Sequence, residues 1–152
     1  MAQSDWHTTD GQRSLQVGAA AEARLFNKLV KQDADAEWKS INPSNYFIGH
    51  DMVFKGLKVE VKSCSGVSGN GTHYETACIE LVTKAGKEVG WRTGGADILI
   101  QIDRSNWKAH VYDAVALNEW SKKQRTFESY DAQCMRMEWQ CKPAGHIKTV
   151  QL

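Results

Sequence analysis

The chain has 152 residues and a formal net charge of +1 at neutral pH, a length that predicts one domain with a real core. So small a charge gives no global basic signature for nucleic acid, although an acidic metal site can cancel basic residues on the same face. No apolar run approaches membrane-spanning length, and residues 1–13 are polar without a signal-peptide core, so the sequence predicts a soluble, cytoplasmic protein. The four cysteines, Cys64, Cys78, Cys134 and Cys141, form no CxxC pair. They read as reduced thiols, with a zinc site from Cys134, Cys141 and His146 as the alternative.

In chain order, residues 1–13 read as a tail and 14–152 as a single domain. A helix is expected from residue 14 or 18 to residue 32, rich in alanine and straight-chain helix formers. Val17, Ala21, Leu25 and Leu29 recur every fourth residue, and Phe26 and Val30 broaden the stripe. Glu22 falls within that inward stripe, where a carboxylate needs a partner. Either it snorkels and pairs with Arg24 or Lys28, or it is one acid of a functional site.

Residues 37–41 read as a short strand, and Asn42-Pro43-Ser44-Asn45 as a turn. A hairpin follows over residues 51–62. Lys55-Gly56 is a two-residue turn, since glycine supplies the positive φ of tight connections. It pairs Phe54 with Leu57, Met52 with Val59, and Asp51 with Glu60. Alternation then puts Met52, Phe54, Leu57, Val59 and Val61 on an apolar face, and Asp51, Val53, Lys58, Glu60 and Lys62 on the other.

Asp51 and Glu60 thus oppose like charges about 5 Å apart, which is destabilising. A divalent cation reverses the sign, because Mg²⁺ takes one or two carboxylates and keeps waters for substrate. Lys62 points the same way. Two acids and a lysine converging on one point predict a metal-dependent hydrolytic site. The plain alternative is an amphipathic strand, which also reads Val-Glu-Val-Lys.

Residues 63–72 read as a flexible loop, a linker or a flap that closes over a substrate, and not as a phosphate-binding loop. Residues 74–83 fit a strand or a short helix. The glycine-rich, positive segment 84–95 offers Lys84, Lys87, Trp91 and Arg92 for contact with phosphates and bases. A solvated loop anchored by Trp91 fits equally. Residues 96–102 predict a central strand and 107–112 its antiparallel partner. Asp113 caps a helix to about residue 125 with Val115, Leu117 and Trp120 inward. From Thr126 no pattern is clear until a last strand at 146–152.

A helix carrying Glu22, a hairpin carrying Asp51 and Glu60-Val61-Lys62, and the apolar strand at Ile98 together resemble the PD-(D/E)xK nuclease superfamily, in particular its compact phage-encoded nucleases and Holliday-junction resolvases. The resemblance covers about residues 14–112; His50 stands where the name-giving proline would. It implies an α/β fold, a restriction-endonuclease-like core with a mixed central sheet of four or more strands flanked by helices. It also implies a Mg²⁺- or Mn²⁺-dependent deoxyribonuclease, an endonuclease acting on DNA. Asp51 and Glu60 would ligate the metal with the Val61 carbonyl, Glu22 would reach the same ion through water or hold a second, and Lys62 would serve the attacking water. Resolving a junction would require a homodimer. The competing expectations are a catalytically inactive nucleic-acid-binding module of the same fold and a plain interaction domain.

Overall fold

The computed structural model describes residues 9–46, 48–68, 70–129 and 131–152. Its elements in order are α1 (Thr9–Leu29), β1 (Glu37–Trp38), β2 (Met52–Phe54), β3 (Leu57–Cys64), β4 (Thr76–Val82), β5 (Ile98–Asp103), β6 (Lys108–Asp113), α2 (Ala114–Ser121), β7 (Thr126–Ser129), β8 (Ala132–Glu138) and β9 (His146–Gln151). Six strands form a sheet in the order β1-β2-β3-β5-β6-β9, and β4-β8-β7 form a second. The larger sheet is mixed. β3 and β5 run parallel, and its other neighbouring pairs are antiparallel.

Alternation along the strands builds two cores, one on each face of the larger sheet. Ala21, Leu25 and Leu29 of α1 pack on Met52, Val59, Val61, Ile100, Ile102 and Ala109. On the opposite face, Leu99 and Tyr112 meet Ala77, Ile79 and Leu81 of β4, Met135 and Met137 of β8, and Leu117 of α2. β5 is buried on both sides, as its largely apolar sequence requires, and it carries Gln101 and Asp103 into the interior. The protein is therefore α/β, with α1, the mixed sheet, and the small sheet with α2 in three layers.

The hairpin register is the expected one for Met52 opposite Val59 and Phe54 opposite Leu57, but the expected pairing of Asp51 with Glu60 is not part of the ladder, because the Asp51 N–H donates to the Val59 carbonyl. Lys55 and Gly56 take φ of 50° and 77° at the turn. Leu57, at the hairpin tip, is however exposed and not part of the apolar face's core.

Several boundaries differ from expectation. α1 begins at Thr9, so residues 9–13 belong to the helix and not to a tail; residues 1–8 of that tail lie outside the described residues. β1 is two residues long, and Lys39–Ile41 turn into a 3-10 helix that brings Ser40 towards α1. Residues 74–83 resolve as a strand, not a helix. α2 stops at Ser121. Its buried residues are Ala114, Leu117 and Ser121, which leaves Val115 at 69% exposure instead of inward.

The segment after β3 is tied down. Buried Asp103 accepts from the Gly66 N–H at 3.1 Å and meets His73 Nε2 at 2.9 Å. A Cβ on Gly66 would sit 2.4 Å from the Asp103 carboxylate, so only glycine lets the loop close onto it. The zinc alternative fails: the Cys134 thiol interacts with Cys78 across the small sheet, and among the described residues no metal-binding cluster includes it. Among the described residues no helix is long and apolar enough to cross a membrane.

Leu25 is 3% exposed in the α1 core and Val115 projects outward. Leu25→Ala is expected to cost about 2–5 kcal/mol and Val115→Ala no more than about 0.5 kcal/mol, both read from urea-denaturation midpoints.

Candidate metal centre

β2 begins only at Met52, opposite Val59, while β3 continues to Cys64, so beyond Val59 one edge of β3 is left without a strand partner. Asp51 fills the gap. Its N–H donates to the Val59 carbonyl at 2.8 Å and its carboxylate Oδ2 accepts from the Val61 N–H at 2.8 Å. Its own carbonyl accepts from the Ser40 N–H at 3.1 Å. An extended residue points its N–H and C=O to the same side. The Val61 carbonyl therefore faces the Asp51 edge beside Glu60.

Glu22 reaches this edge from α1. Its Oε1 accepts from Trp38 Nε1 at 3.0 Å and from the Ser40 hydroxyl. The partners Arg24 and Lys28 considered above go elsewhere: the Arg24 guanidinium lies 4.2 Å over the Trp107 ring, and Lys28 Nζ donates to the Gln151 carbonyl at 2.7 Å. Ser40 links the two acids, its amide on Asp51 and its hydroxyl on Glu22. A cavity of about 350 Å³ is lined by Glu22, Trp38, Ser40, Asp51, Glu60 and Lys62. All four sequence-derived site residues meet there.

The electrostatics are those of an under-compensated acidic cluster. Burial pushes the Glu60 carboxyl well above the usual range, and its hydrogen-bonding contact with Asp51 and the charges of Asp51 and Glu22 push it the same way, against Lys62. Glu22 is raised by burial and by Asp51, with the Ser40 and Trp38 hydrogen bonds opposing. Burial pulls Lys62 down, but Glu60, Glu80, Asp51 and Glu22 outweigh it and hold the ammonium above its ordinary value. Glu80, on β4, brings this charge from the second sheet. Its outward place in an alternating strand was the only sequence signal, and the sheet pairing that aims it was not legible.

Among the described residues no three His, Cys, Asp or Glu side chains gather closely enough to hold one ion. The donor set that fits is therefore Asp51, Glu60 and the Val61 carbonyl, a number of protein oxygens that Mg²⁺ accepts while keeping waters. Glu22, engaged by Trp38 and Ser40, stands outside that direct set.

The segment expected to contact bases has another task. Trp91 is 2% exposed in the core, so it offers no stacking face, and Arg92 is held by Asn118 Oδ1 at 3.1 Å and the Leu81 carbonyl at 3.4 Å. Lys84 and Lys87 alone of the four are exposed. Around them the glycines serve close packing. A Cβ on Gly90 would lie 2.6 Å from the Gly49 Cα, and one on Gly95 would lie 2.7 Å from the Gly90 carbonyl oxygen and 2.9 Å from Gly49. This contact braces the main chain two residues before Asp51.

In comparisons with known proteins, no family model and no curated protein matches the chain.

A carboxyl that binds its proton more tightly folded than unfolded favours folding in acid and opposes it once pH passes the unfolded value of about 4.3. With Glu60 and Glu22 both raised, their contribution to metal-free stability is expected to decline as pH rises past about 4.3. Glu60→Gln is expected to flatten that decline and raise the thermal midpoint at neutral pH in EDTA. A lower midpoint for the variant would show that Glu60 is not the strained acid.

Proposed function

We propose that the protein is a divalent-metal-dependent nuclease that hydrolyses phosphodiester bonds in DNA as an endonuclease, of the PD-(D/E)xK kind its sequence resembles. The observation that carries this reading is the meeting of the Asp51 and Glu60 carboxyls at an unpaired edge of β3, beside Lys62. A fold selected for stability alone has no use for that arrangement. The order helix, hairpin, parallel strand is also what a restriction-endonuclease-like core would need, with α1 and the small sheet covering the two faces of the mixed sheet.

Asp51, Glu60 and the Val61 carbonyl would hold Mg²⁺ or Mn²⁺. Such an ion acidifies water and offsets charge on a scissile phosphate. Lys62, kept cationic by the surrounding acids, orients the attacking water by hydrogen bonding and stabilises the charge that grows on the phosphate oxygens. Glu22 acts through a water rather than as a direct ligand, and Ser40 fixes its rotamer. Asp51 needs no reorganisation, because three hydrogen bonds already set its position. Exposed Lys84 and Lys87 are available for distant backbone phosphates. A homodimer enters only if the substrate is a branched junction, where two cuts are needed.

The second reading is a binding module of the same fold without turnover. It draws on the absence, among the described residues, of a three-acid cluster. Cleavage of plasmid, linear and branched DNA with Mg²⁺ or Mn²⁺ decides between them, since a module would bind in EDTA and cut with neither metal.

Asp51→Asn, Glu60→Gln and Lys62→Ala are each expected to slow cleavage by about 10²-fold or more; undiminished cutting by all three would discard the site. Independently of turnover, Mg²⁺ at a hundred times its Kd is expected to stabilise the wild type by about 2.7 kcal/mol, and Asp51→Asn not at all.

A further inference from the structure

A second cavity, of about 420 Å³, adjoins the first and shares Glu22, Val61 and Lys62 with it. Its other walls are Val17 and Gly18 of α1, Ser63 near the end of β3, and Arg104 just past the end of β5. It thus opens beyond the carboxyl ends of the two parallel strands, where open α/β sheets commonly receive ligands. Arg104 is fixed from behind, its N–H donating to the Cys64 carbonyl at 2.9 Å. Residues 100 and 102 of β5 face α1, and Arg104 continues that alternation towards Gly18.

The Arg104 side chain is the anomaly. Its Nε is buried without a hydrogen-bond partner, and among the described residues no carboxylate pairs with its guanidinium. The side chain as a whole is half-buried and lines the cavity, and the guanidinium fork matches the oxygens of a phosphate. Ser63 supplies a hydroxyl on the same wall. Gly18 leaves the opposite wall bare, with nothing within 4 Å of where a Cβ would stand. Glu22, the acid in this cavity, turns Oε1 to Trp38 and Ser40.

We propose that this cavity is a subsite for the DNA backbone phosphate neighbouring the one at the metal centre, gripped by Arg104 with Ser63 alongside. The proposal rests on the nuclease reading for its register but not for its chemistry. Arg104 is a substrate-positioning residue that sets which phosphate reaches Lys62.

Binding of a short fluorescein-labelled DNA duplex to the full chain in EDTA, followed by anisotropy across a salt series, tests it in an Asp51→Asn background. Arg104→Gln is expected to weaken binding roughly tenfold and to lower the salt slope by about 1. Gly18→Leu, which fills the cavity from a helix surface with room for it, is expected to weaken binding comparably while Arg104 remains; thermal melts confirm folding of both. Affinity and slope unchanged in Arg104→Gln, or affinity unchanged in Gly18→Leu, would overturn the subsite. A protein that binds through Arg104 but cuts with neither Mg²⁺ nor Mn²⁺ keeps the subsite and loses the nuclease. One that cuts DNA with unaltered KM in Arg104→Gln keeps the nuclease and loses the subsite.

Discussion

The hold of Asp51 on β3 is the constraint from which the site follows. Strand pairing in the hairpin ends one residue short of Asp51, and the next backbone donor along β3, the Val61 N–H, is taken by the Asp51 carboxylate instead of by another strand. A side chain replacing a backbone partner satisfies the orphan donor at a strand edge and at the same time places a carboxylate against Glu60. Because Ser40 receives the other end of Asp51 and also holds Glu22, two acids from different elements share one support. The geometry comes from main-chain hydrogen bonding, which is stiffer than any arrangement of long side chains.

The charges are arranged against stability. Three acids and one lysine occupy one half-buried cleft, with Glu80 adding a fourth negative charge from the other sheet. Burial and the neighbouring acids raise the affinity of Glu60 for a proton, and the same acids raise that of Lys62. Shifts of this kind cluster where a protein handles charge chemistry. The same cleft leads to the Arg104 guanidinium, with which no carboxylate among the described residues pairs, so opposite signs lie at its two ends. On the proposed reading, that polarity suits an elongated polyanion.

What could be read from the chain was local. Lys55-Gly56 fixed the register, because a two-residue turn admits one pairing, and the pairing placed Asp51 against Glu60. The stripe Ala21, Leu25 and Leu29 fixed the face of α1 and so exposed Glu22 as out of place. The errors came where tertiary context decides. Trp91 and Arg92 sit in a stretch rich in glycine and charge, which reads as a solvated basic loop, yet the glycines are there to admit another backbone. Val115 has the spacing of an inward residue, but a helix of eight residues is too short for periodicity to settle its face. β8 was unread because Cys134 and Met135 are buried in succession and break its alternation, and β7 because it is four residues long with no fully buried position. Trp38, Ser40 and Arg104 carry no motif at all, and only folding brings them to the site.

The meeting of Gly49, Gly90 and Gly95 gives the cleft an uncommon kind of footing. Exposed side chains change rotamer on picosecond-to-nanosecond timescales, and a site resting on them would share that motion. Here backbone meets backbone directly, with no room for a Cβ between Gly90 and Gly49. The acid two residues downstream is thereby referenced to main chain and not to any rotamer.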